Sequence, residues 1–274
     1  MTDTENSEGS PVDWYSYARC YDLLCELNPA YSKLIAAFRD FLEARDLNDQ
    51  SRILDIGGGT GNFFKLGLPD RLRRARLAHL DANGAMLDLA RSKYADASLE
   101  VELIHADASQ QQFQPRSLDC VVTVNALYAM RHPRRVIRNI HQALKPGGCL
   151  FFVNLGRIQN TLDWTLYLLA KNLFRLGPRR TLSILRNEGS VISKANQGIA
   201  EAQRNKQYWR HGTAEIGEFL AEVGFRIDEL RPCYRGYSDL AICTKPNLLS
   251  EIRDARIGSE SRSQSLFQQS QLSA

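Results

Sequence analysis

The chain has 274 residues, 43% of them hydrophobic and 24% charged, with a formal net charge of +4. This suits one α/β domain with additions or two small domains, and no apolar run reaches the roughly 18 residues needed to cross a bilayer. The six cysteines (Cys20, Cys25, Cys120, Cys149, Cys233 and Cys243) form no C-x-x-C pair and keep no ligand spacing to the five histidines, so no metal site is expected and the thiols read as reduced and mostly buried.

Residues 1–11 are polar and acidic, read as a disordered tail, and lack the features of a secretory signal. An aromatic-rich stretch runs from Asp13 to Leu24, and a helix is expected over residues 31–44, with Leu34, Ile35, Phe38, Phe41 and Leu42 on one side. From residue 51 strands and helices alternate. Strand candidates are 52–56, 76–81, 99–105, 118–124 and 149–154, with helices over 83–94 and 132–144, the second stopped by Lys145-Pro146-Gly147-Gly148. Repetition of this unit implies a parallel, doubly wound α/β sheet. Residues 157–212 interrupt the alternation. A helix capped by Thr213 and ended by Gly224 follows, then strands over 226–232 and 238–243. The tail after about residue 259 is rich in Ser and Gln and reads as disordered.

The most informative stretch is Ile53-Leu54-Asp55-Ile56-Gly57-Gly58-Gly59-Thr60-Gly61-Asn62, a buried strand entering a glycine-rich turn. A dinucleotide fingerprint requires a third glycine where Asn62 stands, and a phosphate-binding Walker loop requires Gly-Lys-Ser/Thr, whereas the first Lys is Lys65. The remaining pattern, Asp-x-Gly-x-Gly-x-Gly, resembles the first motif of class I S-adenosylmethionine-dependent methyltransferases. The resemblance implies a Rossmann-like sheet of seven strands with an antiparallel last hairpin. It also implies that Gly57, Gly59 and Gly61 pass close to the methionine part of the cofactor and that Asp55 helps hold its amino group.

Three further segments follow in the order and spacing of that family, over roughly residues 50–155. Asp81, followed by Ala82, closes the second strand, where an acid can accept both hydrogen bonds of a ribose diol; the alternative is an acid stabilised at a helix N-terminus. Met86, one turn later, corresponds to an apolar residue packed on the adenine, or is a core methionine. Asp107 and Ala108, in His105-Ala106-Asp107-Ala108, are similar to the family's Gly-Asp-Ala segment with Ala106 in place of Gly. Asp107 then accepts from the adenine amino group, or is an ordinary turn residue. After the fourth strand, Asn125 maps onto a cofactor-facing position and Tyr128 onto one where many relatives carry a histidine. The segment Tyr17-Ala18-Arg19-Cys20-Tyr21-Asp22 is similar to N-terminal caps of small-molecule and quinone methyltransferases.

Methyl transfer from a sulfonium demands alignment and exclusion of water more than acid–base help. Tyr128, His132 and His211 are the candidate catalytic groups, and Tyr21 and Tyr237 the candidate acceptor walls, each with a structural alternative. Residues 157–212 carry ten Lys or Arg against three Asp or Glu, around an apolar run over 162–176. This insertion is either a helical excursion packed on the core or a lid over an apolar acceptor, with peripheral membrane contact through residues 160–186. Nucleic acid is not expected, because no recognised binding module accompanies the basic residues.

The expected organisation is a single methyltransferase domain over 12–258, with a helical cap at 12–48, a lid at 157–212 and disordered tails at 1–11 and 259–274. The expected function is S-adenosylmethionine-dependent methylation of a small apolar or lipid-like metabolite, in the cytoplasm or at a membrane surface. The alternatives are an NAD(P)-dependent oxidoreductase and a non-catalytic methyltransferase-like scaffold.

Overall fold

A computed structural model describes residues 12–247. Seven strands form one sheet: β1 (Arg52–Ile56), β2 (Arg76–Asp81), β3 (Val101–His105), β4 (Leu118–Val124), β5 (Leu144–Leu155), β6 (Arg226–Cys233) and β7 (Ser238–Thr244). Their order is β3-β2-β1-β4-β5-β7-β6. The first five run parallel, and β7 inserts antiparallel to both β5 and β6. The strand order reverses between β1 and β4, so the crossovers leave to opposite faces and open a crevice at the carboxyl ends of these two strands.

Helices cover both faces, which explains why the central strands are continuously apolar rather than alternating. On one face α2 (Pro29–Glu43), α3 (Asn62–Gly67) and α4 (Gly84–Asp96) bring Phe38, Phe41, Phe63, Phe64 and Ala90 onto Ile53, Val122 and Phe151. On the other, α5 (Pro133–Ala143) and α7 (Thr213–Val223) bring Val136, Ile137, Ile140, Ile216 and Leu220 onto Leu54, Val121, Phe152 and Ala241.

The remaining helices, α1 (Trp14–Leu27) and α6 (Thr161–Arg204), cover the carboxyl edge. The aromatic-rich stretch is thus helical. α6 is broken at Gly177, whose φ of 76° and ψ of 168° lie in a region that only glycine occupies readily, and Pro178 then starts the second half with its φ already set. Among the described residues no helix is long and apolar enough to cross a membrane.

Some local expectations differ from the structure, including the start of β3 at Val101 rather than 99. β5 starts at Leu144 rather than 149, because Leu144 pairs with Leu118 ahead of a register shift. The N-cap of α7 is Gly212, not Thr213; the Thr213 hydroxyl donates instead to Asp239 Oδ1 at 2.7 Å. The tails expected over 1–11 and 259–274 lie outside the described residues.

Candidate functional site

At the carboxyl edge, β1 delivers the glycine turn. Gly57, Gly59 and Gly61 all have positive φ (68°, 57° and 80°), which side chains adopt only with strain. The Gly57 amide donates to Leu80 O at 2.7 Å, and a Cβ there would lie 2.4 Å from Ala126 Cβ, so the turn packs directly on the segment after β4. Gly58, which the glycine spacing does not single out, is also sterically constrained. A Cβ there would meet His79 Cε1 at 2.5 Å and Asp55 Oδ2 at 2.6 Å. Gly59 differs: a Cβ there would enter space bounded by Met86 Sδ at 3.9 Å and Tyr21 Cε1 at 4.0 Å.

Asp81 ends β2 beside this space. Its Oδ2 accepts from the Gly59 amide and its Oδ1 from the Asn83 amide, both at 2.9 Å. Burial raises its pKa, and these amide bonds offset part of the rise. Each oxygen keeps a lone pair for a further donor. Ala82 follows in the turn, its carbonyl facing His105 Nε2 at 3.1 Å, and the Asn83 side chain caps α4 through the Met86 amide. Asp55 is almost fully buried, and its Oδ2 has no hydrogen-bond partner. Burial first, and the Asp81 charge second, push its pKa up to about 8.

Asp107 closes its own turn, with Oδ1 accepting from the Ser109 amide at 2.8 Å, and Ala108 is buried beneath it. Asn125 follows β4 with φ of 48°, an uncommon conformation for a side-chain-bearing residue, and its Oδ1 accepts from the Ser238 hydroxyl at 3.0 Å.

These positions gather at one edge, and their chemistry suits a nucleoside-bearing cofactor. Gly59 leaves open the space between Met86 and Tyr21, the Asp81 carboxylate borders it, and Asp55 contributes a buried oxygen without a partner.

The candidate catalytic and acceptor groups are dispersed. Tyr128 is buried, with its ring 5.4 Å from that of Tyr208 in edge-to-face contact, and burial raises its pKa well above the ordinary value. His132 is exposed at the N-cap of α5, where its side chain makes no capping bond. His211 is buried in a polar cluster: Asn154 Nδ2 donates to its Nε2 at 2.9 Å, and its Nδ1 lies 3.4 Å from Asp239 Oδ2. The same Asn154 accepts from the Tyr128 amide at 2.9 Å, so His211 supports the backbone that presents Tyr128. Tyr21 stacks edge-to-face on Tyr17. Tyr237 donates to Asp163 Oδ2 at 3.1 Å, joining the start of α6 to β7.

A clasp that the sequence did not reveal ties α1 to the glycine turn. Lys93 Nζ donates to Asp22 Oδ1 (2.5 Å), Asn62 Oδ1 (2.6 Å) and Thr60 Oγ1 (2.8 Å). Thr60 and Asn62 in turn donate to Asp22 Oδ1. Asn62, which breaks the dinucleotide pattern, therefore has its own work: a glycine here would lose both bonds.

Above the edge lies a closed apolar wall. Tyr17 and Ala18 from α1, Met86 from α4, Tyr128 from the short 3-10 turn after β4, Leu155 from the end of β5, and Ala195, Ile199 and Ala202 from the second half of α6 pack as one cluster with Tyr208.

The profile of a methyltransferase-domain family matches residues 53–148. Over 229 residues the chain is 27% identical to a ubiquinone/menaquinone biosynthesis C-methyltransferase of Nitrosospira multiformis, covering 82% of this chain and 87% of that protein. It is 29% identical over 174 residues to the protein of the same name from Pseudomonas fluorescens, covering 61% of this chain and 66% of that relative. A solved structure of a SAM-dependent methyltransferase from Aquifex aeolicus shares the fold, with a TM-score of 0.53 at 13% identity over 84% of this chain and 98% of that one.

Proposed function

The chain belongs to the class I S-adenosylmethionine-dependent methyltransferases, with S-adenosylmethionine as cofactor, and we propose that it methylates a small, apolar, lipid-like acceptor. The observation that carries the acceptor class is the closed wall above the edge. There Tyr17, Tyr128, Tyr208, Met86, Leu155 and Ile199 bring aromatic, thioether and hydrocarbon surface together. The names of the relatives, C-methyltransferases of ubiquinone and menaquinone biosynthesis, favour a carbon as the acceptor atom.

When bound, the cofactor supplies a methyl already activated by the sulfonium charge. The chain's own residues then have three tasks. Asp81 and Asp55 offer carboxylate oxygens at the carboxyl ends of β2 and β1, for the ribose hydroxyls and the amino group respectively. Gly59 lets the backbone come close, while Gly57 lets the turn pack on Ala126. Tyr17, Tyr128 and Tyr208 with α6 keep water from the acceptor side. Tyr128, held protonated by burial, acts as a hydrogen-bond donor or wall rather than as a base. Asp107, Asn125 and Tyr21 complete the reading as adenine, cofactor and acceptor neighbours, and the exposed apolar part of α6 favours work at a membrane surface.

The test is incubation of a cell extract with the protein and methyl-labelled S-adenosylmethionine, followed by solvent extraction. Label in a small organic-soluble product supports the reading. Label confined to protein, nucleic acid or water-soluble metabolites would contradict it.

A further inference from the structure

The two halves of α6 have opposite relations to the rest of the molecule. The half after Gly177 turns its apolar residues Ala195, Ile199 and Ala202 inward onto the tyrosine wall. In the half before it, residues 161–176, the inward side is held firmly. Trp164 is buried with its ring 4.9 Å from that of Tyr234, Asn172 Nδ2 donates to Leu27 O at 3.0 Å, and Arg175 Nη2 donates to Glu26 O at 2.9 Å. The outward side is apolar. Leu162, Leu166 and Leu173 recur at helical spacing along one stripe with at least half their surface exposed, and Phe174 beside them is 97% exposed. Leu182 continues the exposed apolar surface past the kink.

A rigidly docked helix that presents leucines and a phenylalanine to water marks an interaction surface. Its charges specify the partner. Between Asp163 and Glu188 the chain carries Lys171, Arg175, Arg179, Arg180 and Arg186 and no acidic residue. Lys171, Arg179, Arg180 and Arg186 are exposed and form no ion pair among the described residues. A second copy docked through a twofold axis would set these cations against themselves. A nucleic acid would neutralise them but leave Phe174 and the leucine stripe without a partner. An anionic lipid surface satisfies both, taking the apolar stripe into the acyl boundary and the cations among the headgroups.

We infer that residues 161–186 form the docking face of this protein on anionic bilayers. The inference deepens the reading of a lipid-like acceptor. Seated this way, the half of α6 that roofs the tyrosine wall continues directly from the half held at the headgroups, so an apolar acceptor moves between membrane and site without crossing bulk water.

The test is co-sedimentation of the full chain with phosphatidylcholine vesicles containing about one third phosphatidylglycerol, with pure phosphatidylcholine vesicles for comparison. Wild-type protein is expected in the pellet with anionic vesicles at low salt, in the supernatant with neutral ones, and progressively released as salt is raised. Arg179→Gln combined with Arg180→Gln is expected to weaken partition about 25-fold, and Phe174→Glu at least about tenfold. Both variants should bind S-adenosylhomocysteine as wild type does, which separates failure of this inference from failure of the methyltransferase reading. Wild-type protein that stays in the supernatant, or variants that bind vesicles undiminished, would overturn the inference. So would a wild-type dimer that Phe174→Glu converts to monomer without any vesicle binding, since the face would then join two copies.

Discussion

Around the glycine turn the holding runs through backbone amides: those of Gly57, Gly59 and Asn83 donate to Leu80 O and to the two Asp81 carboxylate oxygens, and positive φ angles set the path. Over that edge, in α1 and α6, it is done by side chains. Aromatic faces meet in the tyrosine wall, and single polar links such as Lys93–Asp22, Tyr237–Asp163 and Asn172–Leu27 secure the ends. Backbone geometry constrains sequence tightly, because few residues tolerate it. A wall of side chains needs only apolar volume and can be rebuilt from many residues. The matched family profile covers residues 53–148, which hold the glycine turn, Asp55 and Asp81 and leave α1 and α6 outside. The lesson is that the edge carrying the glycine turn is the more constrained of the two regions and the side-chain wall the more tolerant of change.

That division can be broken by substitution. Asp81→Ala should have the largest effect on donor binding, weakening S-adenosylhomocysteine about 100-fold, or roughly 3 kcal/mol, through loss of charged hydrogen bonds to the ribose. Calorimetric titration reads this, and an affinity within a few-fold of wild type would remove Asp81 from the donor site. Lys93→Met tests whether cap and edge are joined by the clasp. It leaves Asp22 without its cation, and thermal or urea unfolding should show a loss of about 2 kcal/mol, reduced from the fully buried case because the Asp22 side chain is 40% exposed. An unchanged midpoint would mean that α1 is held by its aromatic contacts alone.

Asp55 gives a pH signature. With a folded pKa of about 8 against an ordinary value of 3.8, it binds its proton more tightly when folded. The stability this contributes is full below about pH 4, declines as pH rises and is gone once pH passes about 8. The ligand-free protein should therefore melt lower as pH is raised across this window, and Asp55→Asn should flatten the decline. An identical slope in the variant would place the titration elsewhere. The smallest effect is expected from Phe174→Ala, with 97% of its surface already in water. Stability should change by less than about 0.5 kcal/mol, with donor affinity unaltered. A clear drop in the melting midpoint would mean that the outer face of α6 packs on the protein.

Legibility followed the same division. β1, β2 and β4 span the short apolar runs of the sequence, because both faces of the sheet are covered and polar or glycine-rich turns follow each strand. The gathering of Asp55, Asp81, Met86 and Asn125 at one edge follows from parallel strands whose carboxyl ends share a side. The clasp was not legible: Lys93 meets Asp22 across 71 residues and Asn62 across 31, and no periodicity links them. Tyr208 and Ile199 were missed as wall residues for the same reason, since only the return of α6 over the edge brings them to Tyr128. A polar residue where a glycine pattern fails, beside a lysine in the last turn of the next helix, was the one available hint.

The most direct measurement is calorimetric titration of S-adenosylhomocysteine into the wild-type protein, with NADH titrated in parallel. S-adenosylhomocysteine should give saturable heat and NADH none. Saturable heat from NADH with none from S-adenosylhomocysteine would contradict the cofactor assignment.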